Sequence, residues 1–474
     1  MKRTARLIAC WLSIPTGLCF HAAAAADLLA VYERALQNDP QLREAEANRL
    51  AALESKPQAL SALLPQLTGS ALVSREHDNG SSNTLESVTV PGAQNFLESF
   101  PFDGHTDTNN HKYGIDLKQS IFRWENWVAL QRADSQVAQA EADYQAAQQD
   151  LITRVAQRYF DVLAAEDDLD AQQGALASVS RQLEQAEKRY EVGLIAITDV
   201  QEARASHDSS AAAVIAAKRS VATAQESLRE ITGDLFDSLA RPIEPFELAN
   251  PDPVSEDRWV DMALQQNLSL VSSRLAADIA RANVSSARGG HYPSLDLVAN
   301  GYRVHSDGSS INSDGTPYGS QSLDQTQKTI GLQLTFPLYS GGMVSSQVRQ
   351  AVYQQRAAKE RLERVARQTE HDARDSYLGV LSEISRVKAL HRAVESNATA
   401  LAATESGYEA GTRTAVDVLE SRRLYIQSQT DYSRSRYDYM INMLKLQQAA
   451  GILSEQSLNR LNTLFKDQLK DQPR

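Results

Sequence analysis

Two long stretches of the chain have the pattern of uninterrupted helices. Residues 125–189 and 343–407 contain no proline, and their glycines are limited to Gly174, Gly379 and Gly407. At 1.5 Å per residue, each stretch predicts a helix about 100 Å long, which is too long for a globular core. Apolar residues in the first stretch recur every seven positions and are followed by alanines, which predicts left-handed coiled packing with close helix approach. These positions are Leu130, Val137, Tyr144 and Leu151, with Ala133, Ala140 and Ala147.

Four shorter segments alternate between apolar and polar residues with a period of two. Such alternation over about ten residues is typical of a strand in a membrane barrel, and also of a soluble hairpin with one hydrated face. The strand pattern alone leaves both interpretations open. The apolar positions are Leu67, Ala71 and Val73; Tyr113, Ile115 and Leu117; Leu295, Leu297 and Ala299; and Leu332, Leu334 and Phe336.

Polar residues separate the two segments of each pair. Residues 77–94 and 306–322 are rich in Ser, Asn, Gly and Asp, which predicts loops. Pro65 and Gly114 are 49 positions apart, whereas Pro293 and Gly331 are 38 positions apart. We therefore expect the difference in length to lie in the loops.

The order of these patterns repeats along the chain, together with short sequence matches. "ALQNDPQL" at Ala35 returns as "ALQQNLSL" at Ala263, and "RYEVGLIAITDVQEAR" (189–204) returns as "GYEAGTRTAVDVLESR" (407–422). The sequence predicts two structural repeats, at 27–243 and 251–451, each with a helix, a hairpin and a long helical pair. The predicted bounds are 28–60, 66–122 and 124–232 in the first repeat, and 256–288, 294–339 and 343–450 in the second.

The N-terminus has the layout of a secretory signal peptide. Lys2, Arg3 and Arg6 precede an apolar run that ends in small residues, so residues 1–26 are expected to be removed on export. Both cysteines, Cys10 and Cys19, lie in this segment, and the mature chain is then free of disulfides and thiol nucleophiles. The formal charge of the whole chain is −12, which argues against nucleic acid as a partner.

The mature chain has no apolar stretch as long as the roughly 20 residues that a membrane-spanning helix needs. If the exported protein enters a membrane, it must therefore do so as strands. Four strands cannot close a barrel, because the smallest bacterial examples have eight and open edges are not tolerated in lipid. The chain would then have to oligomerise, and a trimer would supply twelve strands and twelve helical rods.

The repeated turns between the long helices admit two interpretations. Thr198 to Gln201 and Thr414 to Asp417 both fit a capping box, and Gly193 and Gly411 fit ordinary helix C-terminal stops. Capping leaves three residues unexplained. They are Arg413, which stands where the first copy has Ile195, and the second acid of each turn, Glu202 and Glu420.

The chain closely resembles the TolC family of outer-membrane channel-tunnels. The resemblance covers essentially the whole mature chain and is carried by "LLPQL", "QSIF", "VGLIAITDVQ", "NLSL", "YSGGMVSSQV", "AGTRTAVDVL" and "ITG". It implies a mainly α fold with a membrane β-barrel, in which a homotrimer forms a 12-stranded β-barrel continued by a 12-helix α-barrel. It also implies a mixed equatorial domain, which we assign to 233–255 and 452–474, and external hairpin loops at about 76–112 and 304–328.

The family resemblance also implies specific roles for residues near the repeated turns. At the closed periplasmic end, Tyr408 and Arg413 would reach Asp199, with Thr198 beside it, and Gln182 would reach Glu405. Asp417 and Glu420 match two acidic positions that ring the narrowest point. Glu420 departs from the family pattern, which has Asp there. Gly193, Leu194, Gly411 and Thr412 would form the turns that dock an adaptor protein.

The implied function is a passive outer-membrane exit duct, extending into the periplasm, for drugs, other small molecules and proteins of type I secretion. Its implied partners are a periplasmic adaptor, an inner-membrane pump of the RND, ABC or MFS type, and outer-membrane lipid, with no cofactor. The alternative is a non-conducting structural coiled-coil protein of the envelope that binds partners. An enzyme is disfavoured, because the phosphate-loop, H-E-x-x-H and G-x-S-x-G motifs do not occur.

Two further groups of residues have open interpretations. His77, His105 and His111 fall in one polar segment with several aspartates, and they belong either to a solvated surface loop or to a metal site. Trp124 and Trp127 follow the first hairpin and are either interfacial anchors of the barrel rim or helix-packing residues.

Overall fold

The computed structural model describes residues 25–89, 91–92, 94, 96–243 and 248–463. The proposed signal peptide, apart from its last two residues, and both cysteines lie outside the described residues, as do parts of the segments assigned to the equatorial domain. The helices are α1 (Leu28–Asn38), α2 (Pro40–Leu53), α3 (Ser55–Ser61), α4 (Trp124–Glu191), α5 (Ile197–Thr232), α6 (Glu256–Gln266), α7 (Leu268–Gly289), α8 (Met343–Glu409), α9 (Ala415–Ala449) and α10 (Glu455–Asn462). The strands are β1 (Gln66–Val88), β2 (Phe96–Phe122), β3 (Ser294–Asn312) and β4 (Pro317–Thr335).

The chain divides into two compact units. The first takes in the described parts of residues 1–45, 145–267 and 368–474, and the second takes in 46–144 and 268–367. Both long helices are continuous, since α4 has 68 residues and α8 has 67, which confirms the two uninterrupted helices. None of the described helices is long and apolar enough to cross a membrane.

The prediction of one helix over residues 28–60 is wrong, because that segment forms α1, α2 and α3. Asp39 precedes Pro40, which disfavours helical backbone at Asp39, and its ψ is 118°. The Asp39 carboxylate then accepts a hydrogen bond of 2.9 Å from the Leu42 N–H and caps α2. Pro57 has no N–H, and in a continuous helix its ring would clash with the carbonyl of Leu53, the last residue of α2.

The prediction of one helix over residues 256–288 is also wrong, because the segment divides into α6 and α7. The break is at Asn267, which occupies the position that Asp39 has in the first half. The Asn267 side-chain amide donates to the Ala449 carbonyl at 3.0 Å, and the Asp39 carboxylate accepts from Arg154 at 2.8 Å. The polar side chain at each break therefore bonds to a long helix within the first unit.

The core of the first unit is built around α4 and α9. Large apolar side chains from both helices are fully or almost fully buried, including Tyr159, Phe160 and Leu163 of α4 and Met440 and Leu444 of α9. The Tyr159 hydroxyl donates to the carbonyls of Ala26 and Ala240, at 3.1 and 2.6 Å. These bonds hold together the two segments that pair at the isolated bridge between Ala26 and Leu239. α10 also joins this unit, since the Asn462 amide donates to Asp27 at 2.8 Å.

The second unit contains one antiparallel sheet with the strand order β1-β2-β3-β4. The register aligns Leu67 with Leu117, Leu117 with Ala299 and Ala299 with Ile330. Because directly opposed residues share a face, the predicted apolar positions within the strands lie together on one side of the sheet. Phe336 follows the last residue of β4. This face is open to solvent in the single chain, since Leu67, Ile330 and Leu332 are 69%, 77% and 66% exposed.

Residues 77–94 and 306–322 were expected to be loops, and this prediction is wrong for most of their length. β1 continues to Val88, β2 begins at Phe96, β3 continues to Asn312 and β4 begins at Pro317. Polar side chains pair across these strands, as in the hydrogen bonds between Thr106 and Ser310 (2.9 Å) and from Ser322 to Asp307 (2.7 Å). The difference in length between the two hairpins therefore lies partly in the strands. β1 and β2 have 23 and 27 residues, whereas β3 and β4 have 19 each.

The two tryptophans differ in their surroundings. The Trp124 indole N–H donates to the Ser285 carbonyl at 3.2 Å, and its ring meets Tyr292 edge-on with ring centres 5.8 Å apart. Trp124 therefore packs on the end of α7. Trp127 is 51% exposed and keeps the interfacial interpretation open.

Candidate functional site

Both turns between the long helices end the preceding helix in the same way. Gly193 and Gly411 have φ values of +76° and +77°, a conformation that glycine adopts without steric cost. The Leu194 N–H donates to the Arg189 carbonyl at 2.9 Å, and the Thr412 N–H donates to the Gly407 carbonyl at 2.8 Å. The N–H groups of Gly193 and Gly411 also donate to the carbonyls three residues earlier, at 2.8 and 3.0 Å. The two bonds in each turn form a Schellman motif. The proposed docking glycines therefore have a structural role.

The second turn begins its next helix with a complete capping box. The Asp417 N–H donates to the Thr414 hydroxyl at 3.2 Å, and the Thr414 N–H donates to the Asp417 carboxylate at 2.9 Å. The bond from the Thr414 N–H is the largest cause of a lowered pKa for Asp417. Capping is therefore confirmed at this turn, and it uses one of the two acids that we assign to the constriction.

The first turn has no equivalent cap. The N-cap of α5 is Ala196, which aligns with Thr414 and has no side-chain hydrogen bond. The predicted capping box at Thr198 is wrong, because α5 begins at Ile197 and Thr198 already lies inside the helix. Asp199 occupies the position of Asp417, but its carboxylate is exposed and receives only a long 3.5 Å contact from the Thr198 hydroxyl among the described bonds. Asp199 therefore keeps free capacity to accept hydrogen bonds.

An ion pair crosses each helical hairpin just above its turn. Arg204 donates to Glu187 at 2.9 Å, and Arg422 donates to Glu405 at the positions 218 residues later. Both pairs join residues 17 apart, which places one partner on each helix of the hairpin. Sequence analysis missed these pairs, although the same Glu and Arg spacing in both copies was a usable signal.

The ion pair in the second hairpin affects the predicted contact between Gln182 and Glu405. Arg422 is the more buried partner, with 13% of its side chain exposed, and it binds one oxygen of the Glu405 carboxylate. The side-chain oxygen of Gln182 is buried and has no hydrogen-bond partner among the described residues. Within one chain the structure thus does not bring Gln182 and Glu405 together, and that contact stays a prediction.

Arg413 and Tyr408 lie at the second turn without a partner for the predicted latch. Arg413 is exposed and forms no ion pair within the described chain. Its side chain passes so close to Gly407 that a β-carbon there would be 2.8 Å from Arg413 Cγ. Glycine at position 407 therefore gives the arginine room to extend from the turn. Tyr408 is half-buried.

Glu420 lies one helical turn beyond Asp417 and has a partner that the sequence analysis did not consider. Two nitrogens of Arg423, Nε and Nη2, donate to the two oxygens of Glu420 at 2.9 and 2.5 Å. These hydrogen bonds are the largest cause of a lowered pKa for Glu420. Both side chains are more than half exposed.

The tip of the first hairpin also presents apolar side chains. Val192 and Leu194 are 70% and 72% exposed, and Ile197 is 47% exposed. In the second turn the position of Leu194 is taken by Thr412, whose hydroxyl donates to the Gly407 carbonyl at 3.0 Å. The two proposed docking turns thus differ in character, one being apolar and the other polar.

The histidine segment lies on strands instead of a loop. His77 Nδ1 is 2.6 Å from an Asp107 oxygen, and the rings of His77 and His105 have centres 5.1 Å apart. No group of three or more His, Cys, Asp or Glu suited to a metal occurs among the residues that the structure describes.

Comparison with known proteins links this geometry to one family. A family model described as outer membrane efflux protein matches residues 31–234 and 259–452. The outer membrane protein TolC of Vibrio cholerae is 36% identical over 97% of this chain and 99% of its own length. The TolC of Escherichia coli is 35% identical over 95% of this chain and 87% of its own. Alkaline protease secretion protein AprF of Pseudomonas aeruginosa is 27% identical over 93% of this chain and 88% of its own.

Solved structures show the same fold at lower identity. The CmeC outer membrane channel of Campylobacter jejuni has a TM-score of 0.70 at 19% identity and covers 93% of this chain and 89% of its own. The outer membrane protein VceC of Vibrio cholerae has a TM-score of 0.68 at 22% identity, with coverages of 90% and 96%. The chain therefore belongs to the outer membrane efflux protein family, a group of non-enzymatic transport channels that lie in the outer membrane and extend into the periplasm.

Proposed function

We propose that three copies of the chain form an exit duct through the outer membrane for drugs, other small molecules and secreted proteins. The observation that carries this proposal is the sheet of the second unit. Its outer strands β1 and β4 each have one edge without a partner strand among the described residues, and one of its faces is apolar and exposed. In lipid, such edges cost free energy until other strands satisfy their N–H and C=O groups. Three chains would close the edges into a twelve-stranded barrel.

The long helical pairs are the proposed continuation of this barrel as a twelve-helix tube. Each chain contributes α4 with α5 and α8 with α9, and each pair reverses direction at a turn with the same Schellman geometry. Seven-residue apolar spacing along α4 supports lateral packing of neighbouring rods. The segments at 233–255 and 452–474 would form the equatorial domain.

The difference between the two turns supports a gate at the periplasmic end. Asp199 has an exposed carboxylate without a backbone cap. Arg413 is an exposed cation that forms no ion pair in the described chain, and its charge is one of the smaller causes of the lowered pKa of Asp417. In the assembled tube, Arg413 and Tyr408 would bind Asp199, with Thr198 beside it, and close the end. Gln182, whose buried oxygen lacks a partner in the described chain, would contribute a further link towards Glu405.

Asp417 and Glu420 are the proposed constriction. They lie three residues apart, and side chains with that spacing share one helix face, so a trimer would stack two rings of acids. Such rings attract cations. Replacing both residues by Ala should weaken cation preference and block by multivalent cations together, while Asp199→Ala should act mainly on closure. If the double variant kept its full cation selectivity, the constriction would lie elsewhere.

The proposed partners are a periplasmic adaptor protein and an inner-membrane pump of the RND, ABC or MFS type. Exposed Val192 and Leu194 give the first turn an apolar surface suited to a helical partner, and Gly193, Gly411 and Thr412 complete the docking turns. Relatives named as secretion proteins for proteases in Pseudomonas aeruginosa and Dickeya chrysanthemi support a role in type I secretion.

Oxidative crosslinking between the edge strands tests the proposed assembly. The only cysteines of the sequence, Cys10 and Cys19, lie in the proposed signal peptide. Any disulfide in the exported chain would therefore involve an introduced cysteine. We would place one cysteine at Ser70 on β1 and a second at Gln325, Gln327 or Thr329 on β4, all on the polar face. At least one combination should give covalent dimers and trimers, and Ser70→Cys alone should not give trimers. A chain that stays monomeric with every combination would contradict the closed barrel.

A further inference from the structure

The two helical hairpins share most of their polar residues near the turn. Both have an acid at the third position of the second helix, Asp199 or Asp417, and another acid three residues later, Glu202 or Glu420. Both also have the ion pair across the hairpin. Among the positions at which the copies differ, one has Ala205 in the first hairpin and Arg423 in the second.

The contacts of Arg423 offset the charge of Glu420 and contribute little to the stability of the hairpin. Its guanidinium donates hydrogen bonds to both carboxylate oxygens of Glu420, and its third nitrogen, Nη1, donates to Gln427 of the same helix at 3.4 Å. The side chains of Arg423 and Glu420 are 60% and 55% exposed, so this contact adds little to stability. The first hairpin forms the same structure with alanine at this position.

We propose that Arg423 determines the ion selectivity of the pore by neutralising Glu420. The inference rests on the proposed function, in which Asp417 and Glu420 line the narrowest point. Each chain would then contribute two carboxylates and one guanidinium to the constriction. A trimer would carry a net charge of about −3 there instead of about −6. The constriction is thus weakly cation-selective, in contrast to two unmatched rings of acids.

The pair stays ionised over the range in which a channel would be studied. Its hydrogen bonds lower the pKa of Glu420 and raise that of Arg423, so both charges persist into acidic solution. Mild acid therefore does not neutralise Glu420 and leave the Arg423 charge unmatched. Only removal of the guanidinium exposes the charge of Glu420 to permeating ions.

The size of the effect follows from Coulomb's law. Three charges about 7 Å from a permeating ion, in water and screened by about 0.1 M salt, change its local concentration roughly fourfold. The same change in potential raises the local concentration of K⁺ about fourfold and lowers that of Cl⁻ about fourfold. Replacing Arg423 by Gln should therefore raise the permeability ratio of K⁺ to Cl⁻ roughly sixteenfold. Block by a trivalent cation such as La³⁺ should strengthen in the same variant.

Reversal potentials of single channels in a KCl gradient, with about 0.1 M salt on the dilute side, measure this ratio. Arg423→Lys keeps the charge and should keep the ratio of the unmodified protein. Arg229→Gln is the matched control, because Arg229 forms a similarly exposed pair with Glu226 at 3.4 Å on α5, also three residues apart. Trimer content on a gel confirms that each variant is assembled.

The outcomes separate this inference from the proposed duct. A ratio that rises in Arg423→Gln and is unchanged in Arg423→Lys and Arg229→Gln would support it. If the unmodified protein conducts and the ratio of Arg423→Gln is unchanged, Arg423 does not set selectivity, although the duct itself stands. If the unmodified trimer passes no current, the proposed duct fails and this inference fails with it.

Discussion

Breaking the ion pair above the second turn should destabilise that hairpin more than the same change in the first hairpin. In the second hairpin the arginine, Arg422, is 13% exposed and its carboxylate partner Glu405 is 42% exposed. In the first hairpin, Arg204 and Glu187 are 52% and 43% exposed. Exposed pairs contribute about 0.2–1 kcal/mol, whereas removing one partner of a fully buried pair costs about 3–5 kcal/mol. The second pair lies between these limits.

The structure also predicts which partner matters more. Glu405→Gln leaves the largely buried Arg422 without its carboxylate, and another of its nitrogens, Nη1, is already buried without a described partner. Arg422→Gln leaves behind a carboxylate that water can still reach. We therefore expect local opening to cost about 2 kcal/mol less in Glu405→Gln and about 1 kcal/mol less in Arg422→Gln. Arg204→Gln and Glu187→Gln should each lower the free energy of local opening of the first hairpin by about 0.5 kcal/mol.

Hydrogen exchange of the assembled protein, followed by mass spectrometry, measures these differences hairpin by hairpin. Peptides covering residues 400–425 should exchange about fivefold faster in Arg422→Gln and about thirtyfold faster in Glu405→Gln, because 1.4 kcal/mol corresponds to tenfold. Peptides covering 183–208 supply the matched comparison within the same molecule. Equal changes in both hairpins, or a larger effect from the arginine than from the glutamate, would refute the reasoning from burial.

Four other predictions concern the turns and the strands. Arg413→Ser combined with Tyr408→Phe should raise channel conductance without lowering trimer stability, and unchanged conductance in a stable trimer would exclude the latch. Ala196→Ser should supply the missing cap and slow exchange at the start of α5, whereas Thr414→Ala should cost about 1 kcal/mol at the start of α9. Capping lowers the pKa of Asp417, so its carboxylate stabilises the start of α9 above the ordinary aspartate pKa of 3.8. This stabilisation is lost as pH falls through the lowered pKa, and hydrogen exchange at the start of α9 should then become faster relative to the rest of the chain. Cysteines at Ser82 or Ser313 should react with a thiol label on intact cells, and labelling only after membrane disruption would reverse the proposed orientation.

Helical regions without proline were predictable from the sequence because nothing in them interrupts the backbone. α4 and α8 extend only a few residues beyond their predicted limits. The break at Asp39 was missed although Pro40 marks it in the sequence. The break at Asn267 has no proline beside it, and its side chain contacts the distant Ala449 carbonyl. Such tertiary contacts leave no periodic signal.

The upper parts of the hairpins were misjudged for a different reason. Ser, Asn, Asp and Gly favour turns when considered locally, and residues 76–88 and 96–112 are dominated by polar side chains. In the structure, pairing with neighbouring strands satisfies the backbone, and cross-strand hydrogen bonds such as Thr106 to Ser310 satisfy the side chains. Composition therefore identified the polar character of the segment correctly and its conformation incorrectly.

The turn residues show how far the sequence defines a site. Thr414 and Asp417 were recognised as a capping box because the motif is local. The partners of Glu405 and Glu420 were missed, although Arg422 and Arg423 stand next to each other on the same helix. The duplicated spacing would have identified the first pair, and the i to i+3 spacing would have identified the second.

Electrical recording from the purified protein tests the central claim most directly. The unheated protein in detergent should migrate as a trimer and, when added to a planar lipid bilayer, should give stepwise single-channel currents. Heating should abolish both the trimer and the currents. A stable trimer that inserts into the bilayer but passes no current would contradict the duct, and would favour a non-conducting coiled-coil protein of the envelope.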